Sequence, residues 1–414
     1  MLKKSRLPLL ILFLLIAIFK RNLFLILGIM FILAITATIA IWNRFCFSKL
    51  KIRRSLTRDH IFLGEESQYV IEVENRKPLP IFWLQVTDHI TKGINFRKSE
   101  MLSNLIGSQY NIFTDVFSLK WYEKVIRKYP VMPIRRGYFT FGKGQLKTTD
   151  LFGMNTMTLE EKGMAHLLVY PRIVPIEKFG LPTVNPFGSK RVNWWIYEDP
   201  GNRVGIRPYQ RGDRLNQINW KATARHQKLQ SYEIKPTMDT RLYIILNAKL
   251  FNNHWEGYNL DSFELAVMCA ASVADYGLRQ NYQVGFLTNG IIYEKALFVK
   301  ILPGKSSNQR QKILKALAMI EPYHQKEIDQ IIYRELPKMG IGTVIVFITV
   351  IMNKELLDCI RLLKVRGYFP TVIKIGEMEE ELRSKLTGIP IYLVSEERLW
   401  NEIKNIQFAG ESTG

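Results

Sequence analysis

The sequence has few of the residues that build disulfide frameworks, zinc sites and catalytic pairs. Its three cysteines, Cys46, Cys269 and Cys359, are spaced for neither a disulfide framework nor a cysteine metal site. The six histidines are dispersed, and neither an H-E-x-x-H nor a C-x-x-C motif occurs. Because no feature nominates a catalytic group, we predict that the protein is not an enzyme and uses no cofactor.

Aspartate and glutamate are absent from the first 42 residues, most of which are apolar. Residues 23–42 form an uncharged run, which as a helix measures about 30 Å, the thickness of a bilayer core. A shorter apolar run, residues 7–19, precedes it. We predict a transmembrane helical hairpin within residues 1–42. The alternative is an interfacial or signal-peptide segment followed by one span.

Basic residues flank both apolar runs. The flank after the second run carries Arg44, Lys49, Lys51, Arg53, Arg54 and Arg58, with no acidic residue before Asp59. The positive-inside rule places this flank in the cytoplasm. We therefore expect a multi-pass protein of the cell membrane, with two spans and its soluble domains in the cytoplasm. Residues 44–58 are also a candidate binding segment for anionic lipid.

The rest of the chain divides by pattern. Residues 43–170 contain short alternating segments, such as 68–74, separated by turns with glycine and proline, which predicts a β-sandwich-like domain. Residues 171–239 form a basic connector. Residues 240–404 alternate apolar strands with helices, which predicts an α/β domain with a mainly parallel sheet. Residues 405–414 form a tail.

The excess of positive charge indicates an anionic partner. Lysine and arginine number 58 against 37 aspartate and glutamate residues, for a formal net charge of +21. Nucleic acid, anionic lipid and an acidic protein all fit this charge. No recognised nucleic-acid-reading motif occurs, so we do not expect nucleic acid to be the partner.

The most unusual stretch lies between residues 205 and 232. It concentrates Arg207, Tyr209, Arg211, Asp213, Arg214, Trp220, Lys221 and Arg225. Arg207 and Asp213 are spaced to pair across a turn, and Asp213 is placed to cap a short helix that carries Leu215 and Ile218 inward. Trp220 either stacks on a guanidinium such as that of Arg225 or anchors the connector in the core.

We interpret this stretch as a cationic docking surface, with an ordinary solvated basic face as the alternative. The stretch resembles the signature of a bacterial family, the domain of unknown function 58 family, which runs approximately R-x-Y-x-x-G-D-x-x-x-x-I-x-W-K-x-x-A-R. The matching residues are Arg207, Tyr209, Gly212, Asp213, Ile218, Trp220, Lys221, Ala224 and Arg225. Residues 135–142, 150–154 and 169–173 are similar to further elements of the family.

The resemblance implies a membrane-anchored protein with a von Willebrand factor A-like C-terminal domain. It also implies a partner, a MoxR-type AAA+ ATPase. Domains of the von Willebrand factor A type hold Mg²⁺ through an Asp-x-Ser-x-Ser element after the first strand. Here Asn247 stands for the aspartate and Lys249 for the first serine. A lysine ammonium competes with a cation, so we expect a degenerate site without metal.

These observations lead us to expect a non-catalytic adaptor or assembly factor that docks a protein partner at the cytoplasmic face of the membrane. Three alternatives stay open. The first is a metal-dependent protein-binding module, the second is a basic protein that binds nucleic acid or anionic lipid, and the third is a cell-envelope enzyme with its domain outside the cell.

Overall fold

The computed structural model describes residues 23–97, 102–104, 107–150, 153, 155–182, 187, 203–211, 213, 215–234, 240–251, 260–292 and 298–395. The chain divides into two compact units, Met1–Tyr170 and Pro171–Gly414.

The first unit begins with an apolar helix, α1 (Leu23–Phe45). Its 23 residues measure about 35 Å, and it is the one helix of the described chain that is long and apolar enough to cross a membrane. Most of its side chains are exposed, as a lipid-facing helix requires. The shorter apolar run, residues 7–19, lies outside the described residues, so the hairpin stays a prediction.

Two β-sheets follow the helix. Their strands are β1 (Leu50–Leu56), β2 (His60–Phe62), β3 (Ser67–Asn75), β4 (Ile81–Thr91), β5 (Ile94–Phe96), β6 (Leu102–Asn104), β7 (Tyr110–Leu119), β8 (Lys124–Pro133), β9 (Gly137–Thr149) and β10 (Thr156–Tyr170). One sheet has the order β1-β3-β8-β5 and the other β2-β10-β9-β4-β7-β6. All pairs are antiparallel except β2 with β10.

The two sheets share one buried core. Along β3, buried residues alternate with less buried ones, because successive side chains of a strand point to opposite faces. Ile71 and Val73 of this strand belong to the same apolar cluster as Phe113, Phe117 and Phe141 of the other sheet. Residues from both sheets thus fill a common interior, which is the arrangement of a β-sandwich.

The second unit contains a two-stranded ribbon and a larger sheet. Its strands are β11 (Arg203–Pro208), β12 (Gln230–Ile234), β13 (Arg241–Leu246), β14 (Gln283–Ile292), β15 (Phe298–Gly304), β16 (Ile320–His324), β17 (Val344–Thr349), β18 (Phe369–Ile375) and β19 (Ile391–Val394). Its helices are α2 (Trp220–His226), α3 (Leu260–Arg279), α4 (Ser307–Met319), α5 (Ile328–Glu335), α6 (Lys354–Val365) and α7 (Glu380–Ser384). Short 3₁₀ helices occupy Ile176–Phe179, Leu215–Gln217 and Leu336–Lys338.

The larger sheet has the order β15-β14-β13-β17-β18-β19, with β16 also paired to β14. Strands β14, β13, β17, β18 and β19 are parallel, whereas β15 and β16 pair antiparallel with β14. Five of the six residues of β13 are buried, as expected for a parallel strand covered on both faces. The assignment of this sheet to the von Willebrand factor A type stays a prediction.

The ribbon was not predicted from the sequence, because residues 171–239 were expected to form an irregular connector with one short helix. Strands β11 and β12 pair antiparallel between Arg203 and Ile234, and α2 lies in the connection between them. Strands of five and six residues and a helix of seven are too short to establish a periodic pattern. Their register comes from cross-strand pairing, which single-sequence patterns do not reveal.

Candidate docking surface

The signature residues lie on one hairpin, formed by β11, β12 and their connection. Arg207 pairs with Ser231 across the two strands, and Ile206 pairs with Tyr232. The backbone N–H of Tyr209 donates to the carbonyl of Leu229 (3.0 Å), which extends the pairing by one step. The hairpin therefore brings the two ends of the signature stretch side by side.

An ion pair closes the first turn of this connection. Nη2 of Arg207 donates to Oδ1 of Asp213 (2.6 Å), and the backbone N–H of Gln210 donates to Oδ2 (2.9 Å). The Arg207 guanidinium is the main reason that the pKa of Asp213 falls to about 2, and the Gln210 N–H adds to it. The pairing of Arg207 with Asp213, predicted from their spacing, is confirmed by this contact. Both carboxylate oxygens of Asp213 accept hydrogen bonds within the turn, and among the described residues no helix-capping contact of Asp213 is found.

Asn219 fixes the start of α2. Its side-chain oxygen accepts a hydrogen bond from the N–H of Ala222 (3.0 Å), which is the usual N-cap contact. Its own N–H donates to the carbonyl of Gln230 (2.8 Å), and Thr223 Oγ1 accepts from the N–H of Gln230 (3.0 Å). Ile218 and Ala222 are buried beneath these contacts. The short helix is thus held against β12 rather than standing free.

Large apolar side chains project from the hairpin into solvent. Leu215 is 78% exposed and Trp220 is 65% exposed, and Ile206 and Leu229 are also exposed. The prediction that Leu215 points inward is wrong, whereas Ile218 is buried as predicted. The exposure of Trp220 also rules out the core-anchor interpretation. Leu215 lies in a single 3₁₀ turn, which has too few residues for a sequence pattern to assign its inward face.

Cations surround these apolar side chains. Arg211, Lys221, Arg225 and Lys228 are exposed, and Asp213 is the single acidic residue between positions 203 and 232. Asp213 is already paired with Arg207, so it does not neutralise the other cations. The surface combines an aromatic ring, an isoleucine, two leucines and four exposed cations, none of which forms an ion pair with a described residue. Aromatic and arginine side chains of this kind are enriched at protein interfaces.

The sequence-predicted site residues are mostly brought together. Arg207, Asp213 and Tyr209 build the first turn, and Lys221 and Arg225 are exposed on α2. Gly212 lies outside the described residues. Sequence reasoning missed Ile206 and Leu229 as exposed members of the surface. An isolated apolar residue in a polar, basic stretch was the available signal, but it does not distinguish an exposed side chain from a buried one.

The predicted degenerate metal position lies at the carboxyl end of β13, where the parallel strands present their last residues. Nδ2 of Asn247 donates to Oγ1 of Thr349 (3.1 Å), which ends β17. Its Oδ1 accepts from the Lys249 N–H (3.2 Å) and from Nδ2 of Asn289 (3.3 Å). The Asn247 amide is therefore committed to three hydrogen bonds within the chain and leaves a cation little oxygen to bind.

Lys249 brings a positive charge to the same edge of the sheet. Its Nζ donates to Oε1 of Glu327 (2.8 Å), the residue before α5. His324 lies beside this pair, with Nε2 3.8 Å from the same carboxylate oxygen, and burial lowers the pKa of His324. In the part of the chain that the structure describes, no group of three or more His, Cys, Asp or Glu residues is arranged to hold a metal ion.

Comparison with known proteins bears on this unit. Residues 205–384 match a family model described as "Protein of unknown function DUF58". The matched range begins within β11 and contains the rest of the hairpin, helices α2 to α7 and every strand of the larger sheet except β19. The family description assigns no activity to these residues.

A curated protein of similar length is also similar to this chain. The chain is 22% identical over 337 residues to "Uncharacterized protein YeaD" of Bacillus subtilis (strain 168), covering 80% of this chain and 76% of the relative. Because the alignment covers most of both chains, the similarity extends beyond the matched family range.

The solved structures similar to part of the chain include a CARDB domain and several cohesin modules, all at low similarity. A CARDB domain from Pyrococcus furiosus is 15% identical, with a TM-score of 0.20, covering 30% of this chain and 96% of that domain. A cohesin module from a Clostridium perfringens glycoside hydrolase is 11% identical, with a TM-score of 0.20, covering 29% of this chain and 98% of that module. At these TM-scores neither structure supports an argument about this chain.

Proposed function

We propose that the protein is a membrane-anchored, non-catalytic adaptor or assembly factor that docks a protein partner through the hairpin surface. That surface consists of Ile206, Leu215, Trp220 and Leu229, with the cations Arg211, Lys221, Arg225 and Lys228. The observation that carries the proposal is the exposure of Leu215 and Trp220 on a hairpin whose first turn is closed by the Arg207–Asp213 ion pair. A large exposed aromatic side chain on an ordered scaffold is a typical interface anchor.

The partner we propose is an AAA+ ATPase of the MoxR type, which the resemblance to the domain of unknown function 58 family implies. The chemistry of the surface favours a partner with an acidic rim and an apolar pocket. The exposed cations would meet the acidic rim, and Trp220 would enter the pocket. We place the soluble units in the cytoplasm because the basic flank after α1 begins at Arg44.

The contacts at the sheet edge favour this function over metal-dependent binding. The Asn247 amide is used by three hydrogen bonds, and the Lys249 ammonium supplies the positive charge that a metal ion would otherwise bring. A nucleic-acid function is less favoured because the sequence contains no recognised nucleic-acid-reading motif.

The experiment is affinity purification of tagged full-length protein from gently solubilised membranes, in ATP and in ADP, followed by mass spectrometry. We expect an AAA+ ATPase to be recovered in a nucleotide-dependent way. The double variant Lys221→Glu, Arg225→Glu and the single variant Trp220→Ala should each reduce recovery about tenfold or more, since interface anchors contribute at least about 1.4 kcal/mol. All three side chains are exposed, so the fold should persist.

The matched control reverses two charges elsewhere in the same unit. Lys312 and Lys315 are exposed on α4, and the variant Lys312→Glu, Lys315→Glu changes net charge by the same amount. Wild-type recovery from this control, with loss from the hairpin variant, supports docking at the hairpin. Equal recovery from both variants would mean that the hairpin is not the docking surface.

A further inference from the structure

The carboxyl end of α1 is built into the first unit rather than joined to it by a free linker. Ile39 and Trp42 are the buried residues of this helix, and Cys46, just beyond it, is buried as well. The Trp42 ring stacks on Phe82 of β4, with centroids 6.2 Å apart and planes 19° from parallel. The last turn of the apolar helix thus packs directly on the β-sandwich.

A buried lysine holds the end of the helix. Lys77, in the connection between β3 and β4, is only 4% exposed. Its ammonium donates to the carbonyls of Phe45 (2.8 Å), Ser48 (3.0 Å) and Cys46. Phe45 is the last residue of the helix, and Cys46 and Ser48 lie in the turn that follows it. The Phe45 carbonyl, which has no partner within the helix, also accepts from the N–H of Ser48 (3.1 Å). The lysine therefore caps α1 from the neighbouring domain and fixes the direction in which the helix leaves it.

A second turn, between β7 and β8, also lies beside the end of α1. The backbone N–H of Tyr122 donates to the carbonyl of Lys77 (3.3 Å), and Nδ2 of Asn75 donates to the carbonyls of Leu79 (2.9 Å) and Lys120 (2.8 Å). The turn between β7 and β8 carries Trp121 and Tyr122, which are 69% and 70% exposed. Two large aromatic rings thus project into solvent beside the end of a membrane-length helix.

Cations accompany these rings. We define the membrane-proximal collar as Arg44, Lys49, Phe82, Lys120, Trp121 and Tyr122, all of which are exposed. Lys49 is included because its carbonyl accepts a hydrogen bond from the N–H of Arg76 (3.0 Å), and Arg76 directly precedes Lys77 in the chain. Tryptophan and tyrosine favour the headgroup level of a bilayer, and arginine and lysine meet anionic phospholipid there.

We propose that the membrane-proximal collar is a phospholipid-binding surface that seats the β-sandwich on the bilayer, with Trp121 and Tyr122 inserted at the headgroup level. The proposal rests on the membrane anchoring in the proposed function. Three observations support it. The collar is continuous with the end of α1, and its Phe82 stacks on Trp42, the last residue of the uncharged run, so the collar lies where that run ends. Its cations also complement anionic headgroups. The collar differs from residues 44–58, the lipid-binding segment expected from the sequence. The Arg54 side chain of that segment is fully buried against Asp88 and cannot reach lipid, whereas Lys120, from a turn distant in sequence, belongs to the collar.

The experiment measures how close individual positions lie to lipid. Full-length Trp121→Cys and Lys120→Cys are labelled with an environment-sensitive fluorophore and reconstituted into vesicles of phosphatidylcholine and phosphatidylglycerol. Part of the lipid is brominated near the carboxyl end of its acyl chains. The native cysteines are buried and add little label. We expect both labels to lose much of their fluorescence to the brominated lipid.

The control is Ile134→Cys, which follows the other end of β8 and is exposed. At about 3.3 Å per residue, the ten-residue strand places Ile134 about 30 Å along the sandwich from the aromatic turn. Its label should keep its fluorescence. Flotation with the vesicles but no quenching at positions 120 and 121 would overturn the collar and leave the anchor standing. Failure to float would overturn the anchor and the collar together.

Discussion

Neighbouring arginines on β1 have opposite environments, and the difference follows from the pleat of the strand. Arg53 is 58% exposed and lies 3.8 Å from Glu72 across the sheet. The Arg54 side chain is fully buried, with Nη2 2.8 Å from Oδ1 of Asp88, whose other oxygen accepts from the Tyr69 hydroxyl (2.7 Å). Successive residues of a strand point to opposite faces, so one guanidinium meets solvent and the other enters the core.

Substitution of these two arginines by methionine should therefore have different effects. Arg54→Met leaves the Asp88 carboxylate buried without its cation, and we expect the free energy of unfolding to fall by about 3–5 kcal/mol. Arg53→Met removes an exposed pair and should change it by less than about 1 kcal/mol. Urea unfolding of the detergent-solubilised protein, followed by circular dichroism, measures both. Similar effects of the two variants would contradict the buried role of Arg54.

The lowered pKa of Asp213 predicts how the stability of the hairpin depends on pH. Its pKa in the fold is about 2, below the value of about 3.9 for an unfolded aspartate, so its charged form is favoured by folding. The contribution is present above pH 4 and is lost as the pH falls from about 4 to about 2. Hydrogen exchange of residues 203–234, corrected for the intrinsic pH dependence of exchange, should show equal protection at pH 7 and pH 5.

The variant Asp213→Asn tests the same contact without acid. It keeps the shape of the side chain and removes the charge that pairs with Arg207, so protection of the hairpin amides should fall at pH 7. Protection of β13 is the internal control, because that strand is buried in the larger sheet. Unchanged hairpin protection in the variant would show that the ion pair does not order the turn.

Single-sequence reasoning succeeded at residue scale where the interaction is local and failed where it is not. Arg207 and Asp213 are six residues apart across one turn, so their spacing alone suggested the pair. Arg54 and Asp88 are 34 residues apart, and only the assembled sandwich brings them together. Arg54 therefore looked like one more member of a basic flank.

At the scale of elements, α1 and its cap form one unit with the sandwich. An uncharged run predicts such a helix because burial in lipid requires apolar side chains along the whole length of a span. The run does not show where the helix is capped, because the capping lysine belongs to another element. Burial of this lysine lowers its pKa to about 8, so the ammonium that donates to the helix carbonyls persists at pH 7.

Lys77→Met should loosen this junction. Methionine matches the length of the lysine but removes the ammonium that donates to the carbonyls of Cys46 and Ser48, together with one of the donors to the carbonyl of Phe45, and we expect a loss of about 2–3 kcal/mol. Lys124→Met removes a half-exposed pair with Glu72 and should cost less than about 1 kcal/mol. Thermal unfolding in detergent compares them. A cost for Lys77→Met no greater than that of the control would mean that the cap contributes nothing.

At the scale of the molecule, the alternation of strands and helices in the second unit could be predicted from the sequence, because buried parallel strands are continuous apolar runs. The function of that unit was less readable. Leu215 and Trp220, the apolar members of the proposed docking surface, are exposed, whereas a sequence pattern assigns apolar residues to the core.

Sidedness is the remaining whole-molecule prediction. Val365, at the end of α6, is 84% exposed, and Ile134 of the first unit is exposed as well. Cytoplasmic units imply that Val365→Cys and Ile134→Cys are not labelled by a membrane-impermeant maleimide in intact cells but are labelled after permeabilisation. The native thiols give little background because all three are buried and burial raises the pKa of Cys359 to about 12, which suppresses the reactive thiolate.

Each outcome of this labelling decides between two orientations. Protection at both positions, with labelling after permeabilisation, supports the cytoplasmic adaptor, because an AAA+ ATPase needs cytoplasmic ATP. Labelling of both positions in intact cells would exclude such a partner and favour a protein of the cell envelope with its domains outside. Protein without either substitution is the background control, since its buried cysteines should stay unlabelled in both preparations.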